Sequence, residues 1–285
     1  MELGIALPTS GPLVSREAIV RVAQEAERLG YAAVWTYERL LYPLDGVVFP
    51  GTTQAVPLDE YYSKTFEPIE TLAYVAAKTE RVKLGTSIID APFHSPLVLA
   101  RLFATLDQFS DGRVIAGLGQ GWMEQEFNAT NMTRKYQGPG INEFVAAMRA
   151  AWGENPVQFE GKYYNIARSN IDPKPIQQGG IPIIMGVATP SAIKRAARIA
   201  DGLTPVASSL EALEGVVNSC LDLHQIVHLV GLQRSATSVE APEWSQRPNW
   251  TAGWTTANPC FCFHSSCRRR STALTSPLFL QAASS

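Results

Sequence analysis

The pattern that most constrains the fold is a strand, a helix and a second strand between residues 81 and 127. Residues 83–89 form a short β-branched run, too short for a free-standing helix, and residues 113–118 form a second apolar run. Between them, a Ser-Pro pair at residue 95 marks a helix start and an Asp-Gly pair at residue 111 marks its end. Two apolar strands joined by a helix must lie parallel, with a right-handed crossover.

The same strand-then-helix unit recurs along the first 225 residues. We predict strands at residues 3–7, 32–36, 83–89, 113–118, 181–185 and 201–205, each followed by an amphipathic helix. A small β-hairpin over residues 157–164, around Gly161, is predicted outside this repeat. Such repetition favours an α/β fold with a parallel sheet. No phosphate-binding fingerprint follows the first strand, as a doubly wound sheet would favour, and a (β/α)8 barrel needs about 250 residues. We therefore predict a (β/α)8 TIM barrel.

The repeat stops at about residue 226, where units seven and eight are expected. The last 60 residues hold three of the four Cys and three of the six Trp, and no Lys follows Lys194. Their apolar residues have the period of neither a strand nor a helix. We predict a barrel domain over residues 1–225 and an irregular, out-of-frame or disordered tail over residues 226–285. An ordinary irregular subdomain is the alternative. Without units seven and eight, the edges of strands one and six would be exposed.

Composition limits which classes of binding partner and which cellular compartment we expect. The net charge is -2, which predicts no nucleic-acid or membrane partner, and no apolar run approaches the roughly 20 residues of a membrane span. The first 219 residues contain no Cys, and the N-terminus lacks a basic signal region, so we expect a cytoplasmic protein without a disulfide framework. The spacing of Cys260, Cys262, His264 and Cys267 fits no usual zinc pattern, so we predict no metal site.

A glycine-rich run, Gly117-Leu118-Gly119-Gln120-Gly121, closes the 113–118 strand. It lacks the third spaced Gly of a dinucleotide-binding loop, and the chain contains no HExxH, GxSxG or Walker motif. A glycine-rich strand end is otherwise needed where the backbone closely approaches a flat ligand. This run is therefore a candidate ligand contact.

Several ordered segments resemble the luciferase-like family of flavin and deazaflavin oxidoreductases. They are GLGQGWMEQEF after a GRVIAG strand, EPIETLAYVAAKTERVKLGTSI, SPLVLARLFATLDQFSDGR, PVQFEGKYYNI and PKPIQQGGIPIIMG. The resemblance covers residues 1 to about 225 and is closest to the branch that uses coenzyme F420, an 8-hydroxy-5-deazaflavin. It implies the same (β/α)8 barrel that the unit count predicts, and a cofactor lying across the carboxyl-terminal mouth of that barrel.

The resemblance also implies which residues bind the cofactor. In relatives, a bulge with a non-prolyl cis peptide after strand three supports the deazaflavin ring, and a turn after the fifth strand binds phosphate at a helix N-terminus. The glycine-rich loop is a further cofactor contact. The matching positions in this chain are Ser87, Ile88, Asp90, Gly119, Gly121, Trp122, Gln125, Gly186, Val187 and Ala188.

The end of strand two departs from the family pattern. Many deazaflavin relatives carry an acidic residue followed by His, whereas this chain has Glu38 and Arg39. Arg stays protonated at neutral pH, since its pKa exceeds about 12, so Arg39 could instead hold an anionic substrate or the charged edge of the cofactor. We predict Glu38 and Arg39 as the catalytic residues. Trp122 replaces the carboxylate of some relatives, which argues against a sugar-phosphate dehydrogenase.

Other polar and aromatic residues near these motifs have two interpretations each. We expect Glu124 and Glu126 to lie on a solvated helix start. His94 could belong to the site or to a surface loop. In the long segment of residues 40–64, the aromatic side chains indicate either an apolar binding surface or packing of the segment itself. These side chains are Tyr42, Phe49, Tyr61 and Tyr62.

These observations predict an oxidoreductase that transfers hydride between F420 and an unidentified small organic substrate. A monooxygenase that uses FMN instead is one alternative. A truncated, catalytically inactive protein that still binds the cofactor is the other, because the chain lacks units seven and eight and carries Arg39 and Trp122. A homodimer is expected because relatives are commonly dimers.

Overall fold

A computed structural model describes residues 2–206 and residue 215, together with two short strands at residues 228–229 and 260–263. The strands are β1 (Glu2–Ala6), β2 (Ala33–Thr36), β3 (Lys83–Thr86), β4 (Ile89–Asp90), β5 (Val114–Gly119), β6 (Val157–Glu160), β7 (Asn165–Ser169), β8 (Ile183–Val187), β9 (Gly202–Pro205), β10 (His228–Leu229) and β11 (Cys260–Phe263). Strands β1, β2, β3, β5, β8 and β9 lie side by side in that order and are parallel, and β4 pairs with the end of β5. The predicted parallel α/β fold is confirmed.

Helices connect these strands, and local signals set where each begins. The helices are α1 (Arg16–Arg28), α2 (Pro68–Ala76), α3 (Pro96–Ser110), α4 (Glu124–Ala129), α5 (Pro139–Trp152) and α6 (Pro190–Ile199). Four of them begin with Pro in the first turn, where its missing N–H is not needed. Ser15 and Thr189 cap α1 and α6 through their hydroxyl oxygens. The predicted cap Ser95 makes no such bond.

The sheet is buried on both faces, as a parallel sheet requires. On the helix side, Leu72, Leu99, Phe103 and Phe144 belong to the main core and are at most 1% exposed. On the other face, Trp35 packs with Ile115 and Ile184 in a smaller cluster. The indole of Trp35 lies directly over Gly85, where a Cβ would come within 2.1 Å of it.

Two local predictions need correction. The strand predicted over residues 83–89 ends at Thr86, passes through a cis peptide between Ser87 and Ile88, and resumes as β4. The hairpin predicted around residue 161 forms, but its second strand begins later, at Asn165. The cause is Glu143 of α5, whose carboxylate accepts hydrogen bonds from the backbone N–H groups of residues 162, 163 and 164 and so holds them as a turn.

The outer strands of the sheet have neighbours. β10 pairs with β9, and β11 pairs antiparallel with β1 over residues 2–5. The expectation that strands one and six have exposed edges is therefore wrong along these pairings. The helix predicted after strand six and most of the 226–285 tail, including its predicted irregularity, lie outside the described residues. In the described part, no helix has the length and apolarity that crossing a membrane requires.

Candidate functional site

The predicted site residues come from loops that follow several strands of the sheet. Glu38 and Arg39 follow β2, and Ser87, Ile88 and Asp90 follow β3. The remaining residues lie at the carboxyl ends of β5 and β8 or just after them. The carboxyl ends of parallel strands meet at one end of the sheet, which is where ligands bind in such folds. We call this end the mouth.

Ile88 forms an apolar floor at the mouth. Its side chain is half-buried and lies over two glycines of neighbouring strands, Gly119 and Gly186. A Cβ at Gly119 would come 1.9 Å from Cδ1 of Ile88, and one at Gly186 would come 3.4 Å from its Cγ2. Beside it, the hydroxyl of Ser87 lies 3.2 Å from that of Thr204. A partly exposed aliphatic side chain resting on bare backbone fits one face of a flat ring system.

This geometry predicts the effect of substituting Gly119 by alanine. The new methyl group would displace Ile88 and would come 2.6 Å from Oδ1 of Asp90. We expect a loss of about 1–3 kcal/mol in the free energy of unfolding, the usual result of overpacking, and at least tenfold weaker binding of F420 or FMN. Chemical denaturation and fluorescence titration measure the two effects.

Gly140→Ala in α5 is the matched control, because the nearest atom to its new Cβ is 3.6 Å away. It should leave cofactor binding unchanged and be neutral or stabilising. Equal cofactor affinity in Gly119→Ala and wild type would contradict the role of Ile88 as a floor.

A buried carboxylate and an imidazole form a pair beside this floor. Oε1 of Glu38 lies 2.6 Å from Nε2 of His94, and Oε2 of Glu38 accepts the backbone N–H of Asp90 at 2.9 Å. Glu38 is 5% exposed as a residue, whereas the side chain of His94 keeps 30% of its surface accessible. Burial lowers the pKa of His94, but the hydrogen bond and the charge of Glu38 outweigh it and raise the pKa overall. His94 therefore belongs to the mouth rather than to an unrelated surface loop.

Asp90 is a second acidic group at the same place. Its Oδ1 accepts the N–H of Gly121 at 2.8 Å, which ties β4 to the glycine-rich loop. Burial, and then the charge of Glu38, raise the pKa of Asp90 to about 7. Carboxyl groups with pKa values near neutrality are typical of functional sites, although structural clusters can show them too.

Arg39 forms a buried ion pair with Glu126. Its Nη1 lies 2.7 Å from Oε2 of Glu126, and the side chains are 11% and 1% exposed. The other oxygen of Glu126 accepts the backbone N–H of Leu40 at 2.9 Å. The rings of Tyr62 and Trp122 lie 5.9 and 5.4 Å from the guanidinium carbon. The charge of Arg39 is thus already balanced within the chain.

The expectation of a solvated helix start is correct for one acidic residue of α4 and wrong for the other. Glu124 is exposed and pairs with Arg134, whereas Glu126 is buried against Arg39. The two glutamates are two residues apart, so on a helix they face different sides. No local sequence signal distinguishes them, because the partner of Glu126 lies 87 residues away.

The segment of residues 40–64 packs against the glycine-rich loop and α4. Phe49 stacks on Trp122 with ring centroids 5.0 Å apart, and Gln125 donates from Nε2 to the carbonyl of Gly46 at 3.1 Å. Tyr42 donates its hydroxyl to the carbonyl of Leu58 at 3.2 Å. These contacts support packing of the segment onto the barrel. Trp122 and Gln125, predicted to bind the cofactor, take part in that packing.

The last predicted element is the turn after β8. Gly186 and Val187 complete the strand, and the exposed Ala188 precedes Thr189, which caps α6 by accepting the N–H of Ala192 at 3.2 Å. The start of a helix at this end of the sheet offers backbone N–H groups that can attract an anion. The turn therefore lies at the mouth, before the start of α6, and its binding of phosphate stays a prediction.

Comparisons with known proteins agree with this architecture. A family model described as luciferase-like monooxygenase matches residues 1–220. The uncharacterized protein Rv0953c of Mycobacterium tuberculosis H37Rv is 32% identical over 204 residues, which are 71% of each chain. An F420-dependent glucose-6-phosphate dehydrogenase of Nocardia farcinica is 37% identical over 141 residues, covering 46% of this chain and 40% of the enzyme. The crystal structure of monooxygenase RslO1 from Streptomyces bottropensis has a TM-score of 0.65 at 29% identity, covering 78% of this chain and 65% of that chain.

The parallel sheet, its glycine-rich mouth and the structural neighbours define the class of luciferase-like TIM barrels, which confirms the predicted fold class. The chain belongs to the luciferase-like monooxygenase family, and its relatives named above with an activity, a dehydrogenase and a monooxygenase, are oxidoreductases. The family resemblance derived from the sequence motifs is confirmed. The assignments of individual cofactor-binding and catalytic residues stay predictions. His94, which sequence reasoning left between two interpretations, joins Glu38 at the mouth.

Proposed function

We propose that this protein is an oxidoreductase that transfers hydride between coenzyme F420 and a small organic substrate. The observation that carries the proposal is the apolar floor of Ile88 over Gly119 and Gly186, bordered by the proton-holding pair of Glu38 and His94. F420 when bound would supply the hydride chemistry, and the protein would supply binding and orientation. The relative from Nocardia farcinica, named as F420-dependent, supports this cofactor.

Each part of the site has its own task in this proposal. Ser87 and Ile88 support one face of the ring, with Asp90 beside them. Gly119 leaves room for the side chain of Ile88, and Gly121, whose N–H is accepted by Asp90, carries the glycine-rich loop past the ring. The turn of Gly186, Val187 and Ala188 binds a phosphate group at the start of α6. Trp122 and Gln125 contact the cofactor from the glycine-rich side of the mouth, and they also hold the 40–64 segment against this part of the barrel.

Around the reacting atoms, Glu38 orients His94 at the mouth, and Arg39 pairs with Glu126 at the start of the 40–64 segment. The substrate is a small molecule. A cytoplasmic location and a homodimeric assembly, with neither nucleic acid nor membrane as partner, complete the proposal.

The second candidate is an FMN-dependent monooxygenase. The similarity to monooxygenase RslO1, at 29% identity over most of this chain, favours the monooxygenase reaction. A relative from Pseudomonas putida named as an FMNH2-dependent monooxygenase, 28% identical over 145 residues, favours that cofactor. An aliphatic floor such as Ile88 serves an isoalloxazine ring as well as a deazaflavin ring, since both are flat and extended. Measured binding of F420 and of FMN therefore decides between the two candidate functions.

Fluorescence titration of the purified chain with F420 and with FMN tests the proposal. We expect saturable binding of F420, in the micromolar range or tighter, and weaker binding of FMN. Binding of FMN alone would replace the first proposal by the second. A folded sample, checked by circular dichroism, that binds neither cofactor would contradict both proposals and support the inactive protein. Gly119→Ala, which displaces the floor, is the matched variant for each titration.

A further inference from the structure

His94 is the one histidine of residues 2–206, and its two ring nitrogens have different surroundings. Nε2 is held by Glu38, whereas Nδ1 has no hydrogen-bond partner in the part of the chain that the structure describes. The backbone N–H of His94 donates to the carbonyl of Ala91 at 3.0 Å, at the end of a short 3₁₀ turn. The imidazole is therefore fixed at one nitrogen and has a second nitrogen available.

Glu38 is itself held in place. Its backbone N–H donates to the carbonyl of Ile88 at 3.0 Å, and its Oε2 accepts from the backbone of Asp90. Both contacts come from the segment that carries the apolar floor. The orientation of His94 is thus coupled through Glu38 to the floor on which a flat cofactor would rest.

The charges around His94 favour its protonated form. Carboxylates act on it from three elements, since Glu38 follows β2, Glu67 precedes α2 and Asp90 belongs to β4. The guanidinium of Arg39 already pairs with Glu126, and its charge lowers the pKa of Asp90 whereas the charge of Glu38 raises it. An arginine side chain stays protonated at neutral pH. His94 and Asp90 can both change charge near neutrality, and of these two His94 is the one with an accessible side chain, 30% exposed against 4% for Asp90.

We propose that His94 exchanges a proton with the bound substrate through Nδ1, and that Glu38 is the positioning residue that holds the ring by Nε2. The inference rests on the proposed function, because it assigns the proton that accompanies hydride transfer. When the proton leaves, the Nδ1–H bond breaks, its electron pair stays on the ring, and an oxygen or nitrogen of the substrate gains the proton. Neutral His94 then recovers a proton from water through its exposed surface, and the reverse reaction runs these steps backwards.

Nitrogen-15 NMR of the imidazoles in the full-length chain tests the inference without any cofactor. His94→Gln assigns the signal. We expect a His94 pKa above the ordinary 6.5 and a neutral form protonated at Nε2. Glu38→Gln should lower this pKa by at least about one unit, because an opposite charge at this distance is removed. Glu38→Asp should restore part of the rise in the His94 pKa. If Glu38→Gln fails to fold, the His94 pKa of Glu38→Asp is compared with that of wild type instead.

Glu25→Gln is the matched control, since Glu25 is an exposed carboxylate of α1 paired with Arg28. It should leave the His94 pKa unchanged. A wild-type His94 pKa at or below 6.5, or equal values in Glu38→Gln and Glu25→Gln, would overturn the inference whether or not a cofactor binds.

Fluorescence titration of the same samples separates this result from the proposed function. Where wild type binds F420, saturating cofactor should shift the His94 Nδ1 resonance, and an unmoved resonance overturns the inference alone. Absence of binding to both F420 and FMN overturns the proposed function, and with it the assignment of the proton to a substrate.

Discussion

Replacing Glu126 by glutamine is expected to lower the free energy of unfolding by about 3–5 kcal/mol. Glutamine keeps an oxygen that can accept the N–H of Leu40, but it leaves the guanidinium of Arg39 charged and without its carboxylate. Both side chains of the pair are nearly buried, and an unpaired buried charge is among the most costly defects in a protein. Urea denaturation followed by circular dichroism measures the change.

The neighbouring Glu124→Gln is the control for this experiment. Glu124 lies on the same helix and also pairs with an arginine, Arg134, but both side chains are about half exposed or more, so its loss should cost less than about 1 kcal/mol. The double variant Arg39→Met with Glu126→Gln removes both charges and should regain much of the lost stability. Equal stabilities of Glu126→Gln and Glu124→Gln would contradict a buried, paired Arg39.

The same two variants should differ in how well the 40–64 segment resists proteolysis. Glu126 holds the start of the segment through Leu40, and Trp122 and Gln125 of the same region contact Phe49 and Gly46. Proteolysis of Glu126→Gln at native conditions is therefore expected to cleave first within residues 40–64, whereas Glu124→Gln resists like wild type. This connects the buried pair to the packing of the 40–64 segment against the glycine-rich loop.

Asp90→Asn is expected to stabilise the protein at pH 8 by about 3–4 kcal/mol and to change little at pH 4. Burial and the charge of Glu38 raise the pKa of Asp90 from 3.8 to about 7. Between these values the folded state binds a proton that the unfolded state has lost, so stability falls as pH rises and is constant above about 7. Asparagine stays neutral at every pH and can still accept the N–H of Gly121.

Denaturation curves of the variant and wild type from pH 4 to pH 9 measure this difference. Asp45→Asn, at an exposed position in the 40–64 segment, is the control for the loss of a surface carboxylate. A stability difference for Asp90→Asn that stays constant across the range would contradict a raised pKa. If Asp90 must ionise for function, the stabilised variant should bind the cofactor normally yet turn over more slowly.

Much of the fold follows from local sequence signals. The order of strands and helices, the Pro residues in the first helical turns and the caps Ser15 and Thr189 all depend on residues a few positions apart. The cis peptide between Ser87 and Ile88 was implied by the family resemblance and is present. The length of β3 and the start of β7 were misplaced, because a backbone bulge and the carboxylate of Glu143 override the apolar pattern.

The sequence by itself determined the parallel α/β units, the family and the segments that form the mouth. Only the tertiary structure decided which side chains meet there. His94 joins Glu38 across 56 residues, and Glu126 joins Arg39 across 87. The physical reason is that helix and strand periods are set by neighbours along the chain, whereas these pairs arise where loops from separate strands converge and exclude water. Burial at that point, which no residue spacing encodes, raises the pKa of Asp90. It also makes the loss of the carboxylate that pairs with Arg39 costly for the stability of the fold.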